Sequence, residues 1–135
     1  MAGYSLKPKG HKNTVGCDPE MFFKKDGKYF PAIGLVGGTK HSPRKVKKGA
    51  VQEDNVMAEF NTAPASTAAE FSKSVGDMIA EVEKIAKKNG CTLAITPYAE
   101  FENKYLEHPQ AKDIGCTPDY NAWTLTQNDR PTYAL

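Results

Sequence analysis

The chain has 135 residues, 39% of them hydrophobic and 25% charged, with a formal net charge of +2; this is the make-up of one globular domain, able to bury roughly two thirds of the surface its unfolded form exposes. No apolar run approaches the ~20 residues of a membrane span, and the start MAGYSLKPKGHKN lacks the apolar stretch of a secretory signal. Charge is unevenly spread, with eleven Lys and Arg against three acids in residues 1–50 and seven against thirteen in the rest; such a split can steer an anionic partner, but the absence of aromatics among the clustered lysines argues against nucleic acid.

Residues 1–13, polar and punctuated by Gly and Pro, read as a flexible leader, and 14–135 as a single α+β domain. Strand character begins at Thr14. In GCDPEMFFKKDGKYFPA, residues 16–32, an Asp26-Gly27 pair between aromatic-rich runs predicts a hairpin with a two-residue turn. Pro19 has no backbone donor, which predicts an edge or a bulge at that point. The segment GLVGGTKHSPRKVKKGA, residues 34–50, reads as a mobile basic loop carrying Lys40, His41, Arg44, Lys45, Lys47 and Lys48. VMAEFN, residues 56–61, alternates: Val56, Ala58 and Phe60 fall on one face, Met57, Glu59 and Asn61 on the other.

From Thr67 to Asn89 the period changes. Phe71, Val75, Met78, Ile79, Val82, Ile85 and Ala86 form a helical stripe, Thr67 with Glu70 makes a capping box, and Gly90 supplies the stop. CTLAIT, residues 91–96, predicts a returning strand closed by Pro97, and Phe101 with Tyr105 predicts a short helix ended by Pro109. GCTPDYNAW, residues 115–123, repeats the outline of GCDPE, and the tail from Thr124 reads as a strand start followed by a turn at residues 128–131. Cys17, Cys91 and Cys116 match no zinc or disulfide spacing and read as reduced thiols.

Chemistry concentrates where acids meet strands. Asp18 and Glu20 point to one face of an extended segment, about 7 Å apart at the backbone. Two carboxylates so placed repel unless a cation lies between them. Glu59, with Asn61 two residues on, adds a carboxylate and an amide to a second strand. If the strands are neighbours, Asp18, Glu20 and Glu59 form a hard-oxygen cluster suited to Mg2+; the competing interpretation is three acids on the wet face of a sheet.

Four stretches, GCDPEMFF, PAIGLVGGTKHSP, GAVQEDNVMAEFNTAPA and GCTPDYNAW, in this order and spacing, resemble the phage amidoligase family, the COOH-NH2 ligases related to glutamate-cysteine ligase and glutamine synthetase. The resemblance implies an antiparallel sheet with one long amphipathic helix on one face, half of a glutamine synthetase-like catalytic fold, binding ATP and Mg2+ on its concave side. It implies an ATP-dependent carboxylate-amine ligase that forms an amide or peptide bond through an acyl phosphate, or the N-terminal portion of one, working in the cytoplasm of an infected bacterium. By the same resemblance Asp18, Glu20 and Glu59 hold the metal, while Asp54, Asn55 and Asn61 support the nucleotide site. The resemblance further implies that Lys40 and Arg44, in the glycine-rich loop, neutralise phosphate or substrate carboxylate and that closure of that loop excludes water; the competing interpretation of the two is a solvated basic loop. Asp119 and Asn121 have either a site role or turn duty; His41 as a base is disfavoured. Members of the family continue beyond the stretch like RPTYAL into further strands and helices, so the chain is expected to be incomplete relative to them. The alternative is a catalytically inactive phage protein of the same fold that binds a host or phage protein, or a second copy, through an open sheet edge.

Overall fold

The computed structural model describes residues 13–113 and 118–129. Its first element is the expected hairpin: β1 (Glu20–Lys25) and β2 (Lys28–Phe30) are joined by Asp26 and Gly27. Both turn residues have positive φ, 52° and 78°, as a two-residue turn must to match the twist of its strands. Pro19 lies just outside β1, where its carbonyl accepts the Phe60 N–H at 3.3 Å.

The basic segment departs from expectation. Rather than a loop throughout, it contains β3 (Arg44–Val46) and runs into β4 (Gly49–Asp54), which turns through Asn55 and Val56 into β5 (Met57–Thr62). Lys45 in β3, with Lys47 and Lys48 in the turn that follows, suits an edge, whose charges stay in water and deter pairing with other chains. The glycines ahead of β3 are fastened to the sheet. Gly37 N–H donates to Glu53 Oε1 at 3.0 Å, Glu53 N–H donates to the Gly38 carbonyl at 3.2 Å, and Arg44 Nε donates to the Val36 carbonyl at 2.9 Å. Gly38 has φ 84°, and a Cβ there would stand 2.5 Å from Arg44 N and 2.7 Å from the Val51 carbonyl oxygen.

The strands form one antiparallel sheet in the order β2-β1-β5-β4-β3, with β6 (Thr92–Ala94) also paired to β1. Helix α1 (Ala68–Lys88) packs on one face. Thr67 Oγ1 accepts the Glu70 N–H at 3.2 Å, and the Glu70 carboxylate reaches back to the Ser66 N–H at 2.9 Å. At the other end Gly90, at φ 69°, lets its own N–H bond the Lys87 carbonyl while the Cys91 N–H bonds that of Ala86; these two bonds satisfy carbonyls that a helix end would otherwise leave bare. Met78, Val82, Ile85 and Ala86 of α1 are buried with Met21, Phe23, Val51, Ala58 and Phe60 of the sheet.

Strand alternation then decides what lies on the opposite face: Glu20 and Phe22 from β1, Met57, Glu59 and Asn61 from β5, Gln52 and Asp54 from β4. Part of this face is covered by the chain after β6. Phe101 packs there on Phe22 and Tyr29 with ring centres 5.9 Å away in each case; Tyr105 of α2 (Asn103–Leu106) packs instead on Phe30, which shares the core face with its partner Phe23, at 5.3 Å. A 3₁₀ turn at Pro109–Lys112 follows, held to the β4–β5 turn by Asn55 Nδ2 on the Ala111 carbonyl at 2.7 Å. Where a strand start was expected from Thr124, residues 122–124 form a turn and Gln127 bridges back to Tyr120. The leader at 1–12, the GCT of the last motif with its Cys116, and the end of the tail lie outside the described residues.

Candidate metal centre on the open face of the sheet

Register places the acids. Glu20 of β1 is directly opposite Glu59 of β5, and Glu59 is opposite Gln52 of β4, so the three form one row across three strands. Asp54, two residues beyond Gln52 on the same face of β4, completes the group: one carboxylate oxygen from each of Glu20, Asp54 and Glu59 lies within 4.8 Å of the other two. Among the described residues no other such group of His, Cys, Asp or Glu is present.

Glu59 is 6% exposed, and both of its oxygens are held. Gln52 Nε2 donates to Oε2 at 2.7 Å and Asn61 Nδ2 donates to Oε1 at 3.1 Å. Gln52 itself is 4% exposed. Its remaining amide oxygen, Oε1, has no hydrogen-bond partner, the one buried side-chain polar atom in that condition among the described residues.

Electrostatics follow from the crowding. The Glu20 carboxyl is pushed above its ordinary value, first by desolvation against the sheet and then by the charges of Asp54, Glu59 and Asp18, with Lys40 offsetting part of the rise. Glu59 is also raised, first by burial; the Gln52 and Asn61 hydrogen bonds oppose this, while Asp54 and Asp18 add to it. Burial is the larger cause in both and mutual repulsion adds to it; a divalent cation among these carboxyls would lower both. Oxygen donors alone, three of them carboxylates, fit a hard ion such as Mg2+ and offer a thiophilic metal nothing.

Of the expected metal residues, Glu20 and Glu59 come together as anticipated. Asp18 stands one alternation back from Glu20, exposed, and acts on both by charge at longer range. Asp54, expected in nucleotide support, takes the third position. Asn61 lies beside the group as a brace on Glu59. Asn55 does not: at φ 56° it is a turn residue, with Oδ1 accepting the Val56 N–H and Nδ2 occupied by the Ala111 carbonyl. Lys40 is close enough to Glu20 for its charge to be felt there. Arg44 is opposite Val51 on the α1 side of the sheet and lines a hollow with Glu81, Lys84 and Asn89, so it does not share the acids' face. His41 is exposed within the turn closed by Thr39 and Ser42. Asp119 and Asn121 do turn duty: Asn121 Oδ1 accepts the Trp123 and Thr124 N–H groups at 2.9 and 3.1 Å, and Asp119 Oδ1 accepts the Tyr120 N–H.

Gln52 has no place in the expected site. The signal that could have found it is the Asn55-Val56 break between two alternating runs: a two-residue turn there sets Gln52 opposite Glu59. Comparison with protein-family models, with curated proteins and with solved structures returns no match to this chain.

Proposed function

We propose that the protein is an ATP- and magnesium-dependent carboxylate-amine ligase, or the N-terminal part of one, whose cation is held by Glu20, Asp54 and Glu59. One observation carries the reading: three carboxylates from three strands converge on the sheet face opposite α1 with a buried amide oxygen left over beside them. The four motifs that resemble those of the amidoligases support the choice of nucleotide and reaction. So does the architecture, since an antiparallel sheet backed by one long helix suits half of a glutamine synthetase-like fold.

Glu20, Asp54 and Glu59 would hold the magnesium ion, which would supply positive charge against the negative charge that develops in phosphoryl transfer. The chain's own residues prepare for that charge. Gln52 and Asn61 fix the direction of the Glu59 carboxylate, so little reorganisation is left when the ion arrives. Lys40, whose charge reaches Glu20, supplies positive potential for a transferring phosphate or a substrate carboxylate. Arg44 braces the glycine segment instead. The reading places the protein in the cytoplasm of an infected bacterium, where ATP and magnesium are abundant.

Calorimetric titration with ATP and Mg2+, paired with thermal shift, tests the proposal. At a hundredfold excess over the dissociation constant the fold should gain about 2.7 kcal/mol, and the gain should vanish in Glu59→Ala. Magnesium-dependent stabilisation without any further effect of ATP would overturn the ligase reading and leave only a cation site.

A further inference from the structure

We infer that Gln52 is a direct, uncharged fourth ligand of the cation held by Glu20, Asp54 and Glu59. The inference rests on the cation site proposed above and extends its ligand set by a residue type that acid spacing does not reveal.

Chemistry fixes which end of the Gln52 amide faces Glu59. An ionised carboxylate only accepts hydrogen bonds, so the atom 2.7 Å from Glu59 Oε2 has to be the amide nitrogen. The oxygen is then the remaining atom. It shares a carbon with Nε2, about 2.2 Å away given amide bond lengths, and therefore lies within ~5 Å of Glu59 Oε2. A buried acceptor left bare costs free energy, and native structures leave few. Glu59 and Asp54 are acceptors like itself and cannot supply what it lacks, and no donor of the described residues reaches it. A cation satisfies the amide oxygen and the three carboxylates at once. Gln52 and Asp54 leave the same face of β4, so two ligands come from one strand and one each from β5 and β1. Adding a neutral oxygen completes a further position without increasing the repulsion that already raises Glu20 and Glu59.

The test counts water on the metal. Mn2+ replaces Mg2+ as a probe, and water-proton relaxation gives the number of fast-exchanging waters on the protein-bound ion. In Gln52→Leu that number should rise by one, with the dissociation constant for Mn2+ weaker by about tenfold or more. In Gln52→Glu, where an oxygen again stands at this position, the number should stay at the wild-type value. An unchanged water count in Gln52→Leu would overturn the inference, because a residue that merely props Glu59 lowers affinity without freeing a coordination position. If Gln52→Leu does not fold by circular dichroism, Gln52→Asn decides instead, since its shorter side chain keeps the amide but withdraws the oxygen: a count higher by one supports ligation and a wild-type count refutes it. Absence of Mn2+ binding by the wild-type chain would instead remove the cation site itself, which distinguishes failure of the functional reading from failure of this one.

Discussion

Glu20 shows what the acid group does to a single residue. Its carboxyl, and that of Glu59, are raised in the folded chain, so the native state holds these protons more tightly than the unfolded state does. The stabilisation from that difference is complete below the ordinary glutamate value of 4.5 and is lost as pH rises through the elevated folded values. Without a metal, neutral pH therefore finds the fold at a disadvantage. Glu20→Gln removes one of the repelling charges and should raise the melting temperature at pH 7 in chelator. The rise should be modest, ~1–3 °C, because the side chain is partly in water and screened, and it should disappear near pH ~4. A melting series in EDTA across this range checks it; a lower melting temperature for Glu20→Gln at pH 7 would contradict the electrostatic account. At this scale Glu20 and Glu59 were legible, since each sits at an alternating position of a clear strand. Gln52 and Asp54 were not, because their facing depends on which residues turn the β4–β5 hairpin, and Asn55 at φ 56° is a weaker turn signal than Asp26-Gly27.

Helix α1 repeats the contrast one level up. Its stripe, its Thr67 cap and its Gly90 stop are local signals, and the element appears within a residue of its expected bounds. Gly76 is exposed, and a methyl group added there would meet nothing within 4 Å, so it carries only the entropic cost of glycine in a helix. Gly76→Ala should stabilise the protein by about 0.5–1 kcal/mol in urea unfolding. Thr67→Ala should cost about 1 kcal/mol by removing the acceptor of the Glu70 N–H. Gly49 behaves oppositely to Gly76. A side chain there would run into the Asn61 carbonyl on the neighbouring strand and press on Met78 Sδ of α1, so Gly49→Ala should destabilise by about 1–3 kcal/mol and disturb Asn61, which holds Glu59. The strand β3 was hidden because its hydrophobic content is one valine among basic residues: an edge strand is specified by its neighbour's hydrogen bonds, which composition does not reveal.

Across the whole molecule the sheet divides two tasks between its faces. The α1 side holds the core that offsets the entropy lost on folding, and the opposite side gathers acids that burden it. Because the two are separated by one layer of backbone, cation binding should add to stability without repacking the core, and its strength should be governed by protons rather than by conformational change. On the proposed reading metal and proton would compete for Glu20 and Glu59, both of which keep protons to higher pH than ordinary glutamates. Affinity for Mg2+ should thus fall as pH drops from about 8 toward about 5, and binding in the mildly acid range should expel protons. Titrations repeated in buffers of different ionisation enthalpy measure that release directly: it should be positive near the acid end of this range and decline toward zero at the alkaline end. Release independent of pH, or none under mildly acid conditions, would mean that the ion does not sit among these carboxyls, whatever else it stabilises. The same titration on Asp18→Asn separates neighbour from ligand, since loss of a distant charge should weaken binding by only a few fold while loss of Asp54 should weaken it by orders of magnitude.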